Sequence, residues 1–344
     1  MPFSTPIFYD EEFLSHRHSA GHPESQDRFR VVIADILQQR GERGFTRAPP
    51  ATMDELCAVH KAGYVEGIRL RTLHDLDAET PVYGNTFGIA SMAAGAAISA
   101  LNSSMKDAKH SLALVRPPGH HASSGRGGGF CYFNNVAIAA RTLSARRLAI
   151  VDIDVHHGNG TSEIFYDDPS VLYISTHQRG IYPGTGALQE VGAGNGIWHN
   201  LNIPLPAGSG DATFSMAFES IVLPVLSEYR PDGIVVSLGT DSHYMDPLAS
   251  LTLSTPGYVT CIRGLLSLNR PLSIVLEGGY DASALADVVL GILCSLDGTE
   301  YVARYGDVSD TVFCGRRDVE EASVFFSENW KTVLLPDDPV RHIP

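Results

Sequence analysis

Paired cysteines are missing from this chain: its five, Cys57, Cys131, Cys261, Cys294 and Cys314, lie far apart and none belongs to a CxxC pair. An odd, scattered set signals neither a disulfide framework nor a thiolate metal site, and it fits a reducing compartment, taken here as the cytoplasm. Basic residues are scarce as well. Against 39 Asp and Glu stand 25 Lys and Arg, a formal charge of −14. That balance disfavours non-specific binding to nucleic acid and mildly favours cationic substrates through long-range steering. The most apolar stretch, Gly88 to Leu101, is too short to span a bilayer, and the first twenty residues lack the basic start and apolar core of an export signal. A soluble, unexported protein with no membrane partner is expected. With no repeat, low-complexity tract or Pro/Gly/Ser-rich linker, a single domain over residues 1–344 is expected too. The glycine-rich stretches Gly125 to Gly129 and Gly184 to Gly186 lack the strand-to-helix setting and Gly-Lys-Ser/Thr ending of a phosphate cradle, and read as tight turns.

What is present suffices for a large core, with 44% hydrophobic residues and 8% aromatics in 344. From about residue 110 short β-branched runs alternate with helix-length amphipathic segments, the pattern of βαβ units around a parallel sheet. Nearly continuous apolar runs predict buried strands at Ser111 to Val115, Leu148 to Asp154, Val171 to His177, Gly233 to Leu238 and Ser273 to Leu276. Helices are expected at Gln26 to Gln39, Gly88 to Leu101, Phe133 to Ser144, Ala212 to Tyr229, Pro256 to Leu268 and Ser283 to Ser295.

Each strand runs into polar residues able to bind a metal or move a proton. The first leads to His120 and His121; the second carries Asp152, Asp154 and His156 at alternate positions, which share one face of an extended segment. The fourth ends at Thr240 and Asp241, and the last at Glu277, Gly278, Gly279 and Tyr280. Singly these are weak signals, because an Asp after a strand is usually a helix cap and a buried His is usually satisfied by hydrogen bonds. Jointly they differ, since the carboxyl ends of parallel strands form one ligand-binding edge. Buried carboxylates also need compensation, which a divalent cation supplies. Asp154, His156 and Asp241 would leave coordination positions open, as a catalytic zinc requires; ligand type suits ferrous iron equally.

The stretches RPPGHH (116–121), GFCYFNN (129–135), DIDVHHGNGT (152–161), GTDSHYMDPL (239–248) and EGGY (277–280) resemble the histone deacetylase family. GHPESQDR (21–28) and LDAETPV (76–82) are similar to its class II branch, with the bacterial histone-deacetylase-like and acetylpolyamine amidohydrolases. The resemblance spans most of the chain. It implies the three-layer α/β/α arginase/deacetylase fold, a mostly parallel eight-stranded sheet between helices, with zinc at the base of a narrow tunnel.

Carried onto this sequence, the resemblance makes Asp154, His156 and Asp241 the zinc ligands, His120 and His121 the acid–base pair and Asp152 the carboxylate that orients His120. Asn159 stands where class I members carry a second Asp beside the other histidine, which makes His121 less basic. Tyr280 matches the phenol that stabilises the tetrahedral oxyanion. The reaction implied is hydrolysis of the amide of an acetylated or short-chain acylated amine, with metal-activated water. Gly129, Phe130 and Tyr182 match tunnel walls. Leu248 falls where polyamine-selective relatives carry a Glu, which points to acyl-lysine. Backbone carbonyls of Asp152, Asp154 and His156, with Ser175 and Thr176, match a potassium site, and Arg28 an acetate exit channel. Alternatives left open are an acetylpolyamine deacetylase, a binuclear manganese ureohydrolase and a non-catalytic acyl-amine binder; a homo-oligomer is compatible with all of them.

Overall fold

The computed structural model describes residues 4–41, 44–107, 109–143, 146–306 and 314–336. Eight strands form one sheet: β1 (Ile7–Phe8), β2 (Phe45–Thr46), β3 (His110–Ala113), β4 (Leu148–Asp152), β5 (Val171–Gln178), β6 (Asn200–Leu205), β7 (Gly233–Leu238) and β8 (Leu272–Leu276). Their order is β2-β1-β3-β8-β7-β4-β5-β6. Every adjacent pair is parallel, so the expected "mostly parallel" sheet is wholly parallel among the described residues. β4, β7 and β8 are buried along their whole length, which requires cover on both faces and explains their unbroken Val/Ile/Leu runs.

That cover comes from two sets of helices. α4 (Thr86–Asp107) packs on α5 (Asn135–Thr142) and against β3 and β8; α1 (Asp27–Arg40) packs on α10 (Ala282–Leu296), α10 on α9 (Thr255–Ser267) and α9 on α7 (Asp211–Ala217). No helix is long and apolar enough to cross a membrane among the described residues.

Several expectations shift for identifiable reasons. β4 ends at Asp152, so Asp154 and His156 lie in a bend beyond the strand instead of within it. α5 starts at Asn135 because the Asn134 side chain caps it, accepting the Ala137 N–H at 3.0 Å; expected Ser144 lies outside the described residues. The helix expected from Ala212 to Tyr229 is divided into α7 and α8 (Leu223–Tyr229) by a π-helical turn, Phe218–Val222. Pro224 has no N–H to give the Ser220 carbonyl, which accepts instead from Leu334 N at 2.9 Å.

β1 and β2 are two residues long, too short for a periodic pattern, and β6 reads poorly because Asn200, Asn202 and Pro204 interrupt it. Pro204 is tolerated because β6 is an edge strand. Four α-helices are also unanticipated among the described residues: α2 (Met53–Cys57), α3 (Ala62–Arg69), α6 (Asn159–Phe165) and α11 (Arg316–Ser327).

Register keeps the strand ends level. Asp152 pairs with Ser175 and Ser237, and Leu238 with Leu276. The segments after β3, β4, β5, β7 and β8 therefore emerge along one edge.

Candidate metal centre and active site

Beyond β4 the alternation survives the bend: Ile153 and Val155 join the hydrophobic core, while Asp154 and His156 join Asp241 from the β7 end. Asp154, His156 and Asp241 each present a ligand atom, all within 4.8 Å of one another. His156 Nδ1 lies 3.1 Å from Asp154 Oδ1 and 3.2 Å from Asp241 Oδ2. The remaining carboxylate oxygens are anchored, since Asp154 Oδ2 accepts Gly278 N–H at 2.9 Å and Asp241 Oδ1 accepts Val155 N–H at 3.0 Å. Asp241 Oδ2 is buried and faces no N–H or O–H besides the His156 ring.

Backbone closes tightly around these oxygens. A Cβ at Gly239 would fall 2.1 Å from Asp154 Oδ2, and one at Gly278 would fall 2.2 Å from Asp241 Oδ2. The charges match that geometry. Burial, and then the Asp154 charge, push the Asp241 carboxyl up. Burial pushes Asp154 up too, but positive charge on His120 and His156 outweighs it and holds the group far below its usual range. Burial opposes protonation of His156, yet the Asp154 and Asp241 carboxylates, which accept from its ring, carry its pKa to about 10. Two buried carboxylates that force a proton onto the imidazole between them are a donor set suited to a divalent cation.

A second group, His16, His18 and Glu24, also brings ligand atoms together, in the N-terminal segment. Glu24 is already neutralised there: Arg116 Nε and Nη2 donate to it at 2.9 and 2.8 Å, and Arg28 Nη2 at 3.0 Å. A further cation would face two guanidinium charges.

The paired histidines come from the segment after β3. His120 Nδ1 lies 3.1 Å from Asp152 Oδ2, which Tyr173 OH also reaches at 3.0 Å, and His120 Nε2 is 3.8 Å from Asp154 Oδ1. Burial lowers the His120 pKa, but Asp154 and Asp152 overcome it and set it at about 10. His121 Nδ1 lies 2.8 Å from Asn159 Oδ1 at the start of α6. Burial and the positive neighbours His120 and His156 hold His121 well below its ordinary value. The two rings lie 4.0 Å apart, one facing a carboxylate and the other a neutral amide.

Tyr280 is fixed through its backbone. Asp246 Oδ2 accepts its N–H at 2.6 Å and that of Asp281 at 3.2 Å, and Asp281 caps α10 through the N–H groups of Ser283 and Ala284. Arg28 donates to Gly279 O at 3.0 Å and lies 5.5 Å from the Tyr280 ring centroid. Burial, then the charges of Asp241 and Asp154, raise the phenol well above its normal pKa, so it stays a donor.

The expected wall residues gather around these groups. Phe130, with φ of +68°, packs edge-on against Tyr280 at 5.7 Å. Tyr182, half exposed, packs edge-on against His121 at 5.0 Å. Gly129 has φ of +54°, and a Cβ there would lie 2.6 Å from His121 Cδ2 and 2.8 Å from Tyr182 Cε1. Leu248 is 38% exposed, and its N–H donates to Asp246 Oδ1. Thr176 Oγ1 lies 3.5 Å from the Asp152 carbonyl, whereas the Ser175 hydroxyl is hydrogen-bonded to His177 Nδ1 at 2.8 Å.

Sequence reasoning missed Asp77 and Asp246. Asp77 Oδ2 accepts Gly129 N–H at 2.7 Å and fixes the wall loop as Asp246 fixes Tyr280. Both act on backbone N–H groups, so no side-chain spacing betrays them; an Asp inside each quoted motif was the only available signal.

The histone deacetylase domain model matches residues 22–296. A probable deacetylase of Archaeoglobus fulgidus is 39% identical over 87% of this chain and 88% of its own length. The histone deacetylase-like amidohydrolase of Pseudomonas aeruginosa is 35% identical over 83% and 80% respectively. Among solved structures, the HDA15 HD domain superposes with a TM-score of 0.87 at 31% identity over 97% of both chains. With the wholly parallel sheet and a donor set suited to a cation at its carboxyl edge, these likenesses establish that the chain belongs to the histone deacetylase family and is an enzyme of the deacetylase and amidohydrolase class.

Proposed function

We propose that this chain hydrolyses the amide of N-acetylated or other short-chain acylated amines, acyl-lysine foremost, with one zinc ion held by Asp154, His156 and Asp241. The observation that carries the reading is the meeting of that donor set with two adjacent histidines, one hydrogen-bonded to Asp152 and the other to Asn159, in one buried place. Bound there, zinc supplies a Lewis acid that polarises the carbonyl and makes water more acidic.

The remaining work falls to the chain's own residues. Asn159 Oδ1 can only accept, so His121 carries its proton on Nδ1 and keeps Nε2 as the basic nitrogen. His121 takes the proton from water and returns it to the leaving amine. His120, oriented by Asp152 through Nδ1, stabilises negative charge as it develops. Tyr280 donates to the oxyanion. Phe130 and Tyr182 flank the acyl-bearing stem, and exposed, uncharged Leu248 favours a neutral environment there over selection of a cationic polyamine. The carbonyls of Asp152, Asp154 and His156, with Ser175 and Thr176, would hold potassium. Five free cysteines suit cytoplasmic residence.

An acetylpolyamine remains the second substrate class, since a charge of −14 attracts cations. A binuclear ureohydrolase is disfavoured because the paired histidines are already engaged as an acid–base couple, His120 by Asp152 and His121 by the neutral Asn159. The test is release of free amine from acetyl-lysine peptides, acetylputrescine, acetylspermidine and trifluoroacetyl-lysine. Acyl-lysine turnover that stops on chelation and returns with zinc is expected; turnover unaffected by chelation, or none on any substrate, overturns the reading.

A further inference from the structure

Glu277 is fully buried and has no part in the chemistry proposed above, yet it touches several segments that carry it. Its Oε2 accepts two successive backbone N–H groups of the histidine loop, Gly119 at 2.6 Å and His120 at 3.1 Å. Its Oε1 accepts from Ser237 Oγ at 3.1 Å on β7, the strand that leads to Asp241. Its own N–H bonds to Leu238 O at 2.8 Å. Tyr280 follows in the same short segment, whose Glu277 and Gly279 carbonyls both face Arg28.

The histidine loop is pressed onto this carboxyl from the other side. A Cβ at Gly119 would fall 2.5 Å from Asn135 N and 2.7 Å from Phe133 O, so backbone lies directly against it. Without an acceptor at Glu277 Oε2, two buried N–H groups would be orphaned and could regain partners only if the loop moved.

We propose that Glu277 is a positioning residue that sets the paired histidines relative to Asp241 and Tyr280 by serving as the acceptor for the Gly119 and His120 N–H groups. Its catalytic meaning rests on the amidohydrolase reading, but the placement itself does not. Burial pushes the Glu277 carboxyl up to about 7, so it meets neutral pH in both protonation states, and each state offers Oε2 as an acceptor. What the loop takes from it is an acceptor oxygen. A glutamine supplies the same oxygen and can donate its amide to Ser237 Oγ, whereas a leucine of similar size offers nothing.

Full-length protein labelled with ¹⁵N-histidine separates these cases, with the imidazole signals of His120 and His121 assigned by single His→Gln variants. Glu277→Gln is expected to keep both signals, and kcat on an acetyl-lysine coumarin substrate within about threefold, while Glu277→Leu displaces both and lowers kcat by about 10², with KM and bound metal little changed. Wild-type imidazole signals in Glu277→Leu, or signals in Glu277→Gln as displaced as those in Glu277→Leu, would overturn the assignment. Should Glu277→Leu fail to fold, Glu277→Gln decides alone: unchanged imidazoles support the proposal and displaced ones refute it. Wild-type protein that leaves acetyl-lysine intact defeats the amidohydrolase reading, while the imidazole comparison still judges Glu277.

Discussion

Side chains in the site divide by what they act upon. In the proposed mechanism Asp154, His156, Asp241, His120, His121 and Tyr280 offer their own polar atoms to chemistry, whereas Asp77, Asp246 and Glu277 each have an oxygen that accepts from backbone N–H groups. A test belonging to this scale is Tyr280→Phe, which removes one hydroxyl and leaves the ring against Phe130 and Arg28. Its kcat on acetyl-lysine is expected to fall by ~10²–10³ with metal content unchanged, the loss typical of one oxyanion donor. Steady-state kinetics and metal analysis on the same sample check it; undiminished kcat removes Tyr280 from the mechanism. Asp154 and His156 are legible in the sequence because alternation sets them beside Asp152 on one side of an apolar segment, and Asp241 because it follows an apolar strand; roles for His120, His121 and Tyr280 come only through the motif resemblance. Groups that act on backbone are not legible, because a carboxylate can meet an N–H from any distance along the chain, as Glu277 meets Gly119.

Elements whose pattern is continuous were readable, and those defined by pairing or packing were not. β7 stands at its expected bounds because Gly233 to Leu238 is an apolar run buried throughout. β1 and β2 become strands only by pairing with neighbours distant in sequence, and α11 is fixed by packing against β6 and α7.

One buried histidine ties the segment after β3 to the start of α5. His60 lies 2.9 Å from Ser123 O through Nδ1 and accepts Asn134 N–H at 2.9 Å through Nε2, next to the residue that starts α5. The pattern fits only the neutral ring, and burial sets its pKa at about 4, below the ordinary 6.5. With the folded value the lower, the unfolded chain binds more protons below pH 6.5. The stability His60 contributes is thus complete above that pH and declines as pH falls towards 4. By pH 5.5 the loss from this one group is about 1 kcal/mol. Denaturant unfolding of wild type and His60→Gln at pH 7.5 and 5.5 checks this, with a shallower pH dependence expected in the variant. Equal dependence in both would remove His60 as the cause.

At the scale of the whole molecule, a wholly parallel sheet sends every strand towards one edge, and buried central strands force helices onto both faces. That architecture lets residues as far apart in sequence as His120 and Tyr280 serve one site. Its central claim is that Asp154, His156 and Asp241 hold one divalent ion. Metal analysis of the purified chain beside Asp241→Ala, at matched folding judged by circular dichroism, tests this most directly. One zinc or ferrous ion per wild-type chain, lost in the folded variant, is the expected result; two manganese ions per chain, or an ion retained by Asp241→Ala, would contradict it.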